Sequence, residues 1–377
     1  MSLGTATHRG LASPSSTQTQ TPRVCVLSEN MNLNPDEGIR KFARSLLEAL
    51  SLRGPALGVS VGPPVSDGNI VSARANQLFL SRRLRAEVRR FRPDVLCYVP
   101  TASDTIFSLL RLRLLSSMCG RPATALVSLQ PRPHSALGGK LLRLMRPDLF
   151  FVQSEARALR LARVTGREVH CLTGGVDSDR FRPVSQIEKS NLRQKYGLPE
   201  NDYLVLHVGH ITPERNIALL EQVQRRAQVV MVTGNSVGED RQLRRRLEQS
   251  GVIVFDQYIE AIEEIYQAAD CFIFPVSSEK GSIEMPLSVL EAMACNLPAV
   301  CTRFGALNEL LPNGRTGDAT GLLLGRAPED LPKLVDRARA IGLPRTRGLV
   351  EGMSWGSVAG QLVDKADFIS REGASRQ

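Results

Sequence analysis

Residues 270–301 read DCFIFPVSSEKGSIEMPLSVLEAMACNLPAVC, and this order of apolar and polar residues indicates the fold class. The apolar residues that end at Pro275 predict a buried strand over 271–275, and the polar residues that follow predict a loop. Apolar residues three and four apart between Leu287 and Met293 predict a helix over 286–296. A second apolar run predicts a strand over 298–301. Strand, helix and strand in this order are typical of a parallel sheet that is covered by helices.

The same alternation runs through the rest of the chain. In the first half, a predicted strand over 23–28 leads through a loop over 30–38 to a helix whose apolar residues repeat from Ile39 to Leu50. The other predicted strands lie at 94–99, 123–129, 149–152, 169–172, 203–208, 228–233, 252–255 and 321–324. The other predicted helices lie at 80–92, 104–119, 216–227, 239–250 and 260–269.

A length of 377 residues suggests two domains. We expect a lead-in over 1–22 that is disordered and lacks the apolar stretch of a secretory signal. The first domain is then expected over 23–182, the second over 183–352, and a terminal segment over 353–377. In open parallel sheets, ligands bind beyond the carboxyl ends of the strands, so we expect a ligand in the cleft between the domains.

The composition narrows the class of protein. Apolar residues make up 42% and charged residues 23%, which excludes a chain that is disordered throughout. The net charge of +10 favours acidic partners, namely nucleic acid, an anionic membrane or phosphorylated small molecules, without choosing among them. No apolar run reaches the length of about 18 residues that spans a bilayer. Seven scattered cysteines without a CxxC pair predict reduced core thiols in a cytoplasmic protein.

The helix predicted from Pro286 is expected to present its first turn to the cleft. Free backbone N–H groups around 286–288 attract phosphate through their unpaired donors and the helix dipole. Glu291, about a turn further on, could accept hydrogen bonds from sugar hydroxyls. The alternative is that Glu284 and Glu291 are solvated charges, as they would be on an arbitrary helix. The spacing of the residues does not by itself exclude this alternative.

The segment SIEMPLSVLEAMACNLPAV resembles the signature of the retaining GT-B glycosyltransferases of family 4, a pattern like EGFGLPVLEAMACGLPVV in which seven residues separate two Glu. Five further segments resemble motifs of this family, in the family's order. Residues 173–183 resemble NGVDxxxFxP, 206–216 resemble VGRLxPEKG, 266–270 resemble YxxAD, 305–309 resemble GGxxE, and 354–355 resemble the start of the terminal helix that crosses back to the first domain.

The resemblance implies an α/β fold of the GT-B type, with two doubly wound Rossmann-like domains, an interdomain cleft and a C-terminal crossover helix. It implies transfer of a sugar from a UDP- or GDP-linked donor to a hydroxyl acceptor with retention, without a metal or other cofactor. The acceptor would be a glycan, a lipid-linked molecule or a small molecule, as in polysaccharide or glycolipid biosynthesis. The first domain would face the acceptor, and the second would bind the nucleotide sugar.

The family places an Arg after the first strand of its second domain and a Lys five positions later, and these positions are His210 and Arg215 here. Arg215 can grip the leaving diphosphate bidentately, although a lone Arg is otherwise a surface residue. His210 would donate a weaker, pH-dependent hydrogen bond. His207 and His210 are three residues apart, but we do not expect a metal, because His207 should face the core and no Cys or carboxylate stands near.

Counting eight residues back from Glu291 reaches Ile283, and the acidic residue is Glu284. Either the loop shifts so that Glu284 reaches the donor sugar, or that contact is lost. The predicted catalytic residues are therefore Arg215, His210 and Glu284. The predicted donor-binding residues are Gly38, Gly209, Tyr258, Met285, Pro286, Leu287, Ser288 and Glu291.

The first domain contributes two further candidates. Gln130 takes the position at which the family often has a His, and His134 follows four residues later. We expect both near the sugar or acceptor, although a His that follows two prolines, as His134 does, is more often an ordinary loop residue than a catalyst. Residues 34–38 take the place of the family's glycine loop, where backbone N–H groups would meet the diphosphate and the acceptor. Entry into a helix is an equal alternative for each of these residues except Gly38.

Two sets of basic residues flank apolar stripes in the first half. They are Arg82, Arg83, Arg85, Arg89, Arg90 and Arg92, and then Lys140, Arg143 and Arg146. Basic amphipathic helices can rest on an anionic leaflet, which would make the protein peripheral on the inner face of the membrane. A solvated helix face over an ordinary core is the alternative. Nucleic acid is poorly supported, because no aromatic residue interleaves with the arginines.

Two other functions compete with transfer. The departures at Ile283, His210 and Gln130 would also fit a protein that binds a nucleotide sugar without transferring it. A GT-B sugar epimerase is a further alternative, which the segment 282–294 disfavours.

Overall fold

A computed structural model describes residues 21–31, 38–62, 69–130, 132, 134–234, 239–311 and 317–374. The lead-in at 1–20 and residues 34–37 of the predicted loop lie outside this part. The strands of the first sheet are β1 (Val24–Ser28), β2 (Ala56–Ser60), β3 (Ile70–Ser72), β4 (Val95–Tyr98), β5 (Ala123–Ser128), β6 (Leu149–Val152) and β7 (His170–Cys171). They are parallel and lie in the order β3-β2-β1-β4-β5-β6-β7.

Five helices of the described part connect these strands. They are α1 (Gly38–Ser51), α2 (Arg82–Phe91), α3 (Ile106–Met118), α4 (Ala136–Met145) and α5 (Glu155–Thr165). The side chain of Ser81 caps α2 by accepting from the amide of Leu84, and the helix ends in the left-handed conformation of Arg92, just before Pro93. Leu80, which was predicted on the buried stripe of this helix, instead precedes it and is half-exposed.

The second sheet has the same topology. After α6 (Gln186–Lys195), its described strands are β8 (Leu204–Val208), β9 (Gln228–Val232), β10 (Ile253–Phe255), β11 (Cys271–Phe274), β12 (Ala299–Thr302) and β13 (Leu322–Gly325), in the order β10-β9-β8-β11-β12-β13. The helices that follow α6 are α7 (Leu220–Gln224), α8 (Arg241–Gln249), α9 (Ile262–Ala268), α10 (Leu287–Ala294), α11 (Gly317–Thr320), α12 (Leu331–Arg339) and α13 (Trp355–Ala374).

The helix predicted over 216–227 was wrong at its start. Asn216 takes a left-handed conformation with φ 55°, so the chain makes two 3₁₀ turns, Pro213–Arg215 and Ile217–Leu219, before α7 begins. A non-glycine residue in this conformation ends a helix, and Asn tolerates it better than most residues.

Helix α13 returns to the first domain, as the fold class predicts. The ring of Trp355 meets that of Phe42 on α1 edge to face, with centroids 5.3 Å apart. Ser354 pairs with Val176 in a parallel bridge, and Lys365 forms an ion pair with Glu168. The chain therefore crosses between the two domains a second time.

Two further sequence predictions concern the whole molecule. The seven cysteines are free thiols, and all but the partly exposed Cys171 are buried, which confirms reduced core thiols. In the described part of the chain, no helix combines the length and apolarity that a membrane span needs.

Both sheets reverse their strand order beside the first strand, between β1 and β4 and between β8 and β11. Loops on the two sides of such a reversal diverge and leave a crevice at the carboxyl ends of the strands. The site is built from these loops.

Candidate active site

A cavity of about 440 Å³ lies between the two domains at the carboxyl ends of the strands. The first domain supplies the start of α1 and the start of the loop after β5. The second domain supplies the loops after β8 to β11 and the start of α10. Predicted site residues on its wall are Gly38, Gln130, Gly209, His210, Arg215, Tyr258, Pro286, Leu287, Ser288 and Glu291. Glu284, Met285 and His134 are not on this wall.

Arg215 and Gly209 are fitted to one another. A Cβ at Gly209 would lie 2.1 Å from Arg215 Nη1, so only a glycine lets the guanidinium lie against the backbone there. The side-chain amide of Asn216 donates to the carbonyl oxygen of Pro275 at 2.9 Å and to Ser277 Oγ at 2.8 Å. These bonds tie the loop after β8 to the loop after β11 and hold Arg215 at the cavity.

His207 lies in the core, on the strand that leads into the loop of Gly209 and Arg215. Its side chain is fully buried, and Nδ1 lies 2.9 Å from the carbonyl oxygen of Ile273, which requires that Nδ1 carries the proton. Burial above all, together with the nearby Arg215 and His210, lowers the pKa of His207 to about 4, although the bond to Ile273 opposes the shift. The imidazole is therefore neutral. His207 faces the core as predicted, and the described residues contain no group of His, Cys, Asp and Glu that could hold a metal.

The first turn of α10 faces the cavity with fewer donors than predicted. Pro286 is the residue before the helix rather than its first residue, and proline has no amide hydrogen. The donors on this wall are therefore the amides of Leu287 and Ser288. No side chain caps this end of the helix, which leaves its positive end open to an anion.

Glu291 lies one turn further along α10 and is not a solvated charge. The carboxylate is 6% exposed and is held by Lys41 Nζ on one oxygen and by the hydroxyl of Tyr266 at 3.0 Å on the other. Lys41 belongs to α1 of the first domain. The sequence analysis missed it, because no local pattern signals a contact 250 residues away.

The structure does not bring Glu284 to the cavity wall. Ile283 takes that place, and its side chain meets Gly38, where a Cβ would lie 3.4 Å from Ile283 Cδ1. Glu284 points instead toward α5, where Oε1 lies 3.5 Å from Arg157 Nε. Burial above all, with Glu279, Glu309 and Asp104 nearby, raises the pKa of Glu284 to about 7 despite Arg157.

The loop that carries Glu284 is pinned to the first domain. Backbone amides of this loop donate across the cleft, from Glu284 to the carbonyl oxygen of Leu129 at 2.8 Å and from Met285 to Gln153 Oε1 at 3.1 Å. Met285 is buried by this packing. Alternating directions along the loop explain the placement, since Ile283 faces the cavity and its neighbour turns away.

Gln130 spans the cleft and His134 does not reach it. The side-chain amide of Gln130 donates to the carbonyl oxygens of Glu279 at 2.8 Å and Ser282 at 3.1 Å, so it fastens the same loop while lining the cavity. His134 Nε2 lies 2.8 Å from Asp104 Oδ2, and the Asp104 side chain is fully buried. The histidine is thus paired within the first domain.

Among the described residues, the cavity wall carries four cationic side chains and three carboxylates. Besides Arg215 and Lys41, it is lined by Arg180 and Lys280, neither of which the sequence analysis selected. Arg180 is engaged by Glu263 at 2.7 Å. Tyr258 lies in the loop after β10 and is 61% exposed, so its ring is available for stacking.

Comparisons with known proteins agree with this geometry. The sequence model described as "Glycosyl transferases group 1" matches residues 202–341. The sulfoquinovosyl transferase of Arabidopsis thaliana is 27% identical over 305 residues, which are 77% of this chain and 57% of that protein. D-inositol 3-phosphate glycosyltransferase 2 of Catenulispora acidiphila is 28% identical over 222 residues, which are 53% of this chain and 50% of that protein. The chain thus spans about half the length of these curated relatives.

Solved structures extend the likeness to both domains. Sucrose-phosphate synthase from Thermosynechococcus elongatus superposes with a TM-score of 0.72 at 16% identity, over 94% of this chain and 100% of that one. HepE from Anabaena, solved in complex with UDP-glucose, superposes with a TM-score of 0.63 at 16% identity over the same shares. Residues 202–341 of the second domain therefore resemble the glycosyl transferases of group 1, and the chain as a whole has the GT-B fold.

Proposed function

We propose that this protein is a retaining glycosyltransferase that moves a sugar from a nucleotide diphosphate sugar to a hydroxyl acceptor, without a metal. The observation that carries the proposal is the place of Arg215. It lies on the wall of the interdomain cavity, in the loop after the first strand of the second sheet, at the point where the strand order reverses.

The cavity suits a diphosphate leaving group. When the bond between the sugar carbon and the phosphate oxygen breaks, negative charge grows on the diphosphate, and fixed donors that meet this charge lower the barrier. Arg215 offers a planar pair of N–H donors, and the first turn of α10 offers the amides of Leu287 and Ser288. In the same proposal, His210 is a further neutral or cationic donor beside Arg215.

The nucleotide would occupy the second domain. We place the base near Tyr258 and the ribose at Glu291, with Gly209 and Gly38 allowing close approach to the phosphates. The donor would be UDP- or GDP-linked, in line with the solved relative that binds UDP-glucose. Gln130 would contact the transferred sugar or the acceptor.

A second candidate function rests on Ile283. An apolar side chain lines the cavity where the sequence analysis sought an acidic contact to the donor sugar, and Glu284 is turned toward Arg157. A protein that binds a nucleotide sugar but does not transfer it would also have this wall. Two measurements separate the candidates: thermal stabilisation by a panel of UDP- and GDP-sugars detects binding, and released nucleotide detects transfer. Binding without release would favour the second candidate.

We further propose that the first domain rests on anionic membrane. Helices α3, α4 and α5 are neighbours and expose Phe107, Leu137, Leu144 and Leu159, each at least 60%. The exposed basic residues on these helices are Arg113, Lys140, Arg143, Arg160 and Arg163, and the one acidic residue on them is Glu155. Exposed apolar side chains among cations bind an anionic leaflet better than arginines alone do. This surface includes the 137–146 segment that the sequence analysis selected.

The arginines of α2 support the membrane proposal less. Arg89 donates to the carbonyl oxygen of Met118, and Arg90 pairs with Glu87.

A further inference from the structure

Lys41 joins the two domains at the nucleotide end of the cavity. It lies on the first turn of α1, and its Nζ pairs with Glu291 Oε1 on α10 of the other domain. The same ammonium lies 5.6 Å from the centre of the Phe181 ring, within the range of a cation–π contact. The lysine side chain is 28% exposed and that of Glu291 is 6% exposed, so the pair is largely shielded from water.

The two oxygens of Glu291 are used equally. Lys41 donates to one, and the hydroxyl of the fully buried Tyr266 donates to the other at 3.0 Å. Burial and the adjacent Glu291 raise the pKa of Tyr266, which keeps its hydroxyl protonated and donating. A carboxylate accepts about four hydrogen bonds, two on each oxygen. One acceptor site on each oxygen is therefore left for a ligand.

We propose that Lys41 is a positioning residue that, with Tyr266, fixes Glu291 so that its carboxylate binds the vicinal 2′- and 3′-hydroxyls of a ribonucleotide. Two acceptors on one rigid carboxylate match two hydroxyls on neighbouring carbons. The inference rests on the proposed function, since it assumes that a nucleotide occupies this cavity. Because Lys41 comes from the first domain, the ribose site is complete only where the two domains meet.

Removal of the ammonium would leave a buried carboxylate with one neutral donor. Such a group favours a proton, and a protonated carboxyl loses acceptor capacity and its fixed orientation. The consequence is specific: the contact to the ribose hydroxyls weakens, whereas contacts to the base and the phosphates do not. Lys41 as a direct phosphate contact would have a different consequence, because ribo- and deoxyribonucleotides would then weaken together.

The test measures dissociation constants for UDP, GDP and their 2′-deoxy forms with the full chain, for the wild type, Lys41→Met and Lys41→Arg. Lys333→Met, which makes the same change on an exposed face of α12, is the matched control. Thermal unfolding of each variant shows whether it is folded. For whichever ribonucleotide binds, we expect the wild type to prefer it over its deoxy form by about tenfold or more, the scale of a hydrogen bond to a charged group.

Lys41→Met should reduce this preference to about threefold or less, with little change for the deoxy form, and Lys41→Arg should keep most of it. An unchanged ratio in folded Lys41→Met would overturn the inference. So would an equal loss for both forms, which would indicate a phosphate contact, or a gain in ribonucleotide affinity, which would make Lys41 a competitor for Glu291. If the wild type binds none of these nucleotides, it is the proposed function that fails. If Lys41→Met does not fold, Lys41→Arg provides the test. A folded Lys41→Arg that no longer prefers the ribonucleotide over its deoxy form would contradict the positioning role of Lys41.

Discussion

Arg215 occupies the space that a side chain at Gly209 would need, since a Cβ at that position would lie 2.1 Å from Arg215 Nη1. The glycine after β8 is thus required by the arginine six residues later. This relationship explains how the guanidinium of a loop residue is held at one place on the cavity wall.

Gly209→Ala should therefore displace Arg215 and lower turnover by about 10- to 100-fold, approaching the loss of a transition-state donor. Binding of a nucleoside without phosphates should change little. The measurement is steady-state turnover together with nucleoside and nucleoside diphosphate affinities. Gly342→Ala, where a Cβ meets open space, is the control. Full activity in Gly209→Ala would show that the position of Arg215 is unimportant.

Phe42→Ala should loosen the crossover helix. Removing a fully buried phenyl ring lowers the free energy of unfolding by about 3–5 kcal/mol, and Trp355 loses its edge-to-face partner. Trp355 is the one tryptophan of the chain, so the fluorescence reports the surroundings of this ring and of no other. We expect a red-shifted emission and a lower denaturant midpoint. Phe368→Ala, at an exposed position on α13, should change neither, and an unaltered spectrum in Phe42→Ala would refute the contact.

Glu284 should make stability depend on pH. Its pKa is raised to about 7 in the folded protein from an ordinary 4.5, so the folded chain holds this proton more tightly than the unfolded chain. The resulting stabilisation is fully present below pH 4.5 and is lost as the pH rises to about 7. The glutamine of Glu284→Gln stays neutral at every pH. Above pH 7 the free energy of unfolding of this variant should therefore exceed that of the wild type by about 2–3 kcal/mol, and the difference should vanish near pH 4.5.

Urea unfolding across pH 4–8 measures this difference. Glu48→Gln, at an exposed carboxylate on α1, is the control that should show little change. A constant difference between Glu284→Gln and the wild type over the whole range would mean that folding does not shift the pKa of Glu284.

The proposed membrane surface predicts selective sedimentation. The protein should bind vesicles that contain phosphatidylglycerol and not vesicles of phosphatidylcholine, and higher salt should weaken binding because it screens the charges. Replacing Leu137 and Leu144 on α4 with Ser should reduce binding severalfold. The double control changes Leu52 and Leu343, which are exposed elsewhere, to Ser. Equal binding to both kinds of vesicle, or none, would return these side chains to ordinary solvated helix faces.

Much of the fold was predictable because apolar runs mark buried parallel strands. Eleven of the described strands, all except β2 and β3, were predicted within about two residues. Strand β2 contains Gly58, and β3 is three residues long, so neither has a clear apolar pattern. Helix α6 was missed because it is polar. Arg193 is its buried residue, and this side chain is held by the carbonyl oxygen of Ala268 and by Asp270 rather than by an apolar core.

Some residues of the candidate site were likewise predictable from the sequence, and others were not. Residues that follow strands, such as Gly209, Arg215 and Tyr258, were predictable because parallel strands deliver their loops to one edge. The direction of each side chain in the irregular loop before α10 was not predictable from the sequence. Glu284 was therefore expected where Ile283 lies. The place of Lys41 in the site was not predictable for another reason, because it depends on how the two domains meet.

The central claim is that Arg215 holds the diphosphate while a sugar leaves it. The most direct measurement compares nucleotide release from UDP- and GDP-sugars by the wild type and by Arg215→Ala, with a panel of hydroxyl acceptors and with both proteins shown to be folded. The account predicts that the wild type releases nucleotide from at least one donor and that Arg215→Ala is slower by a factor of about 100 or more. Equal release by the two proteins, or no release from any donor, would contradict it.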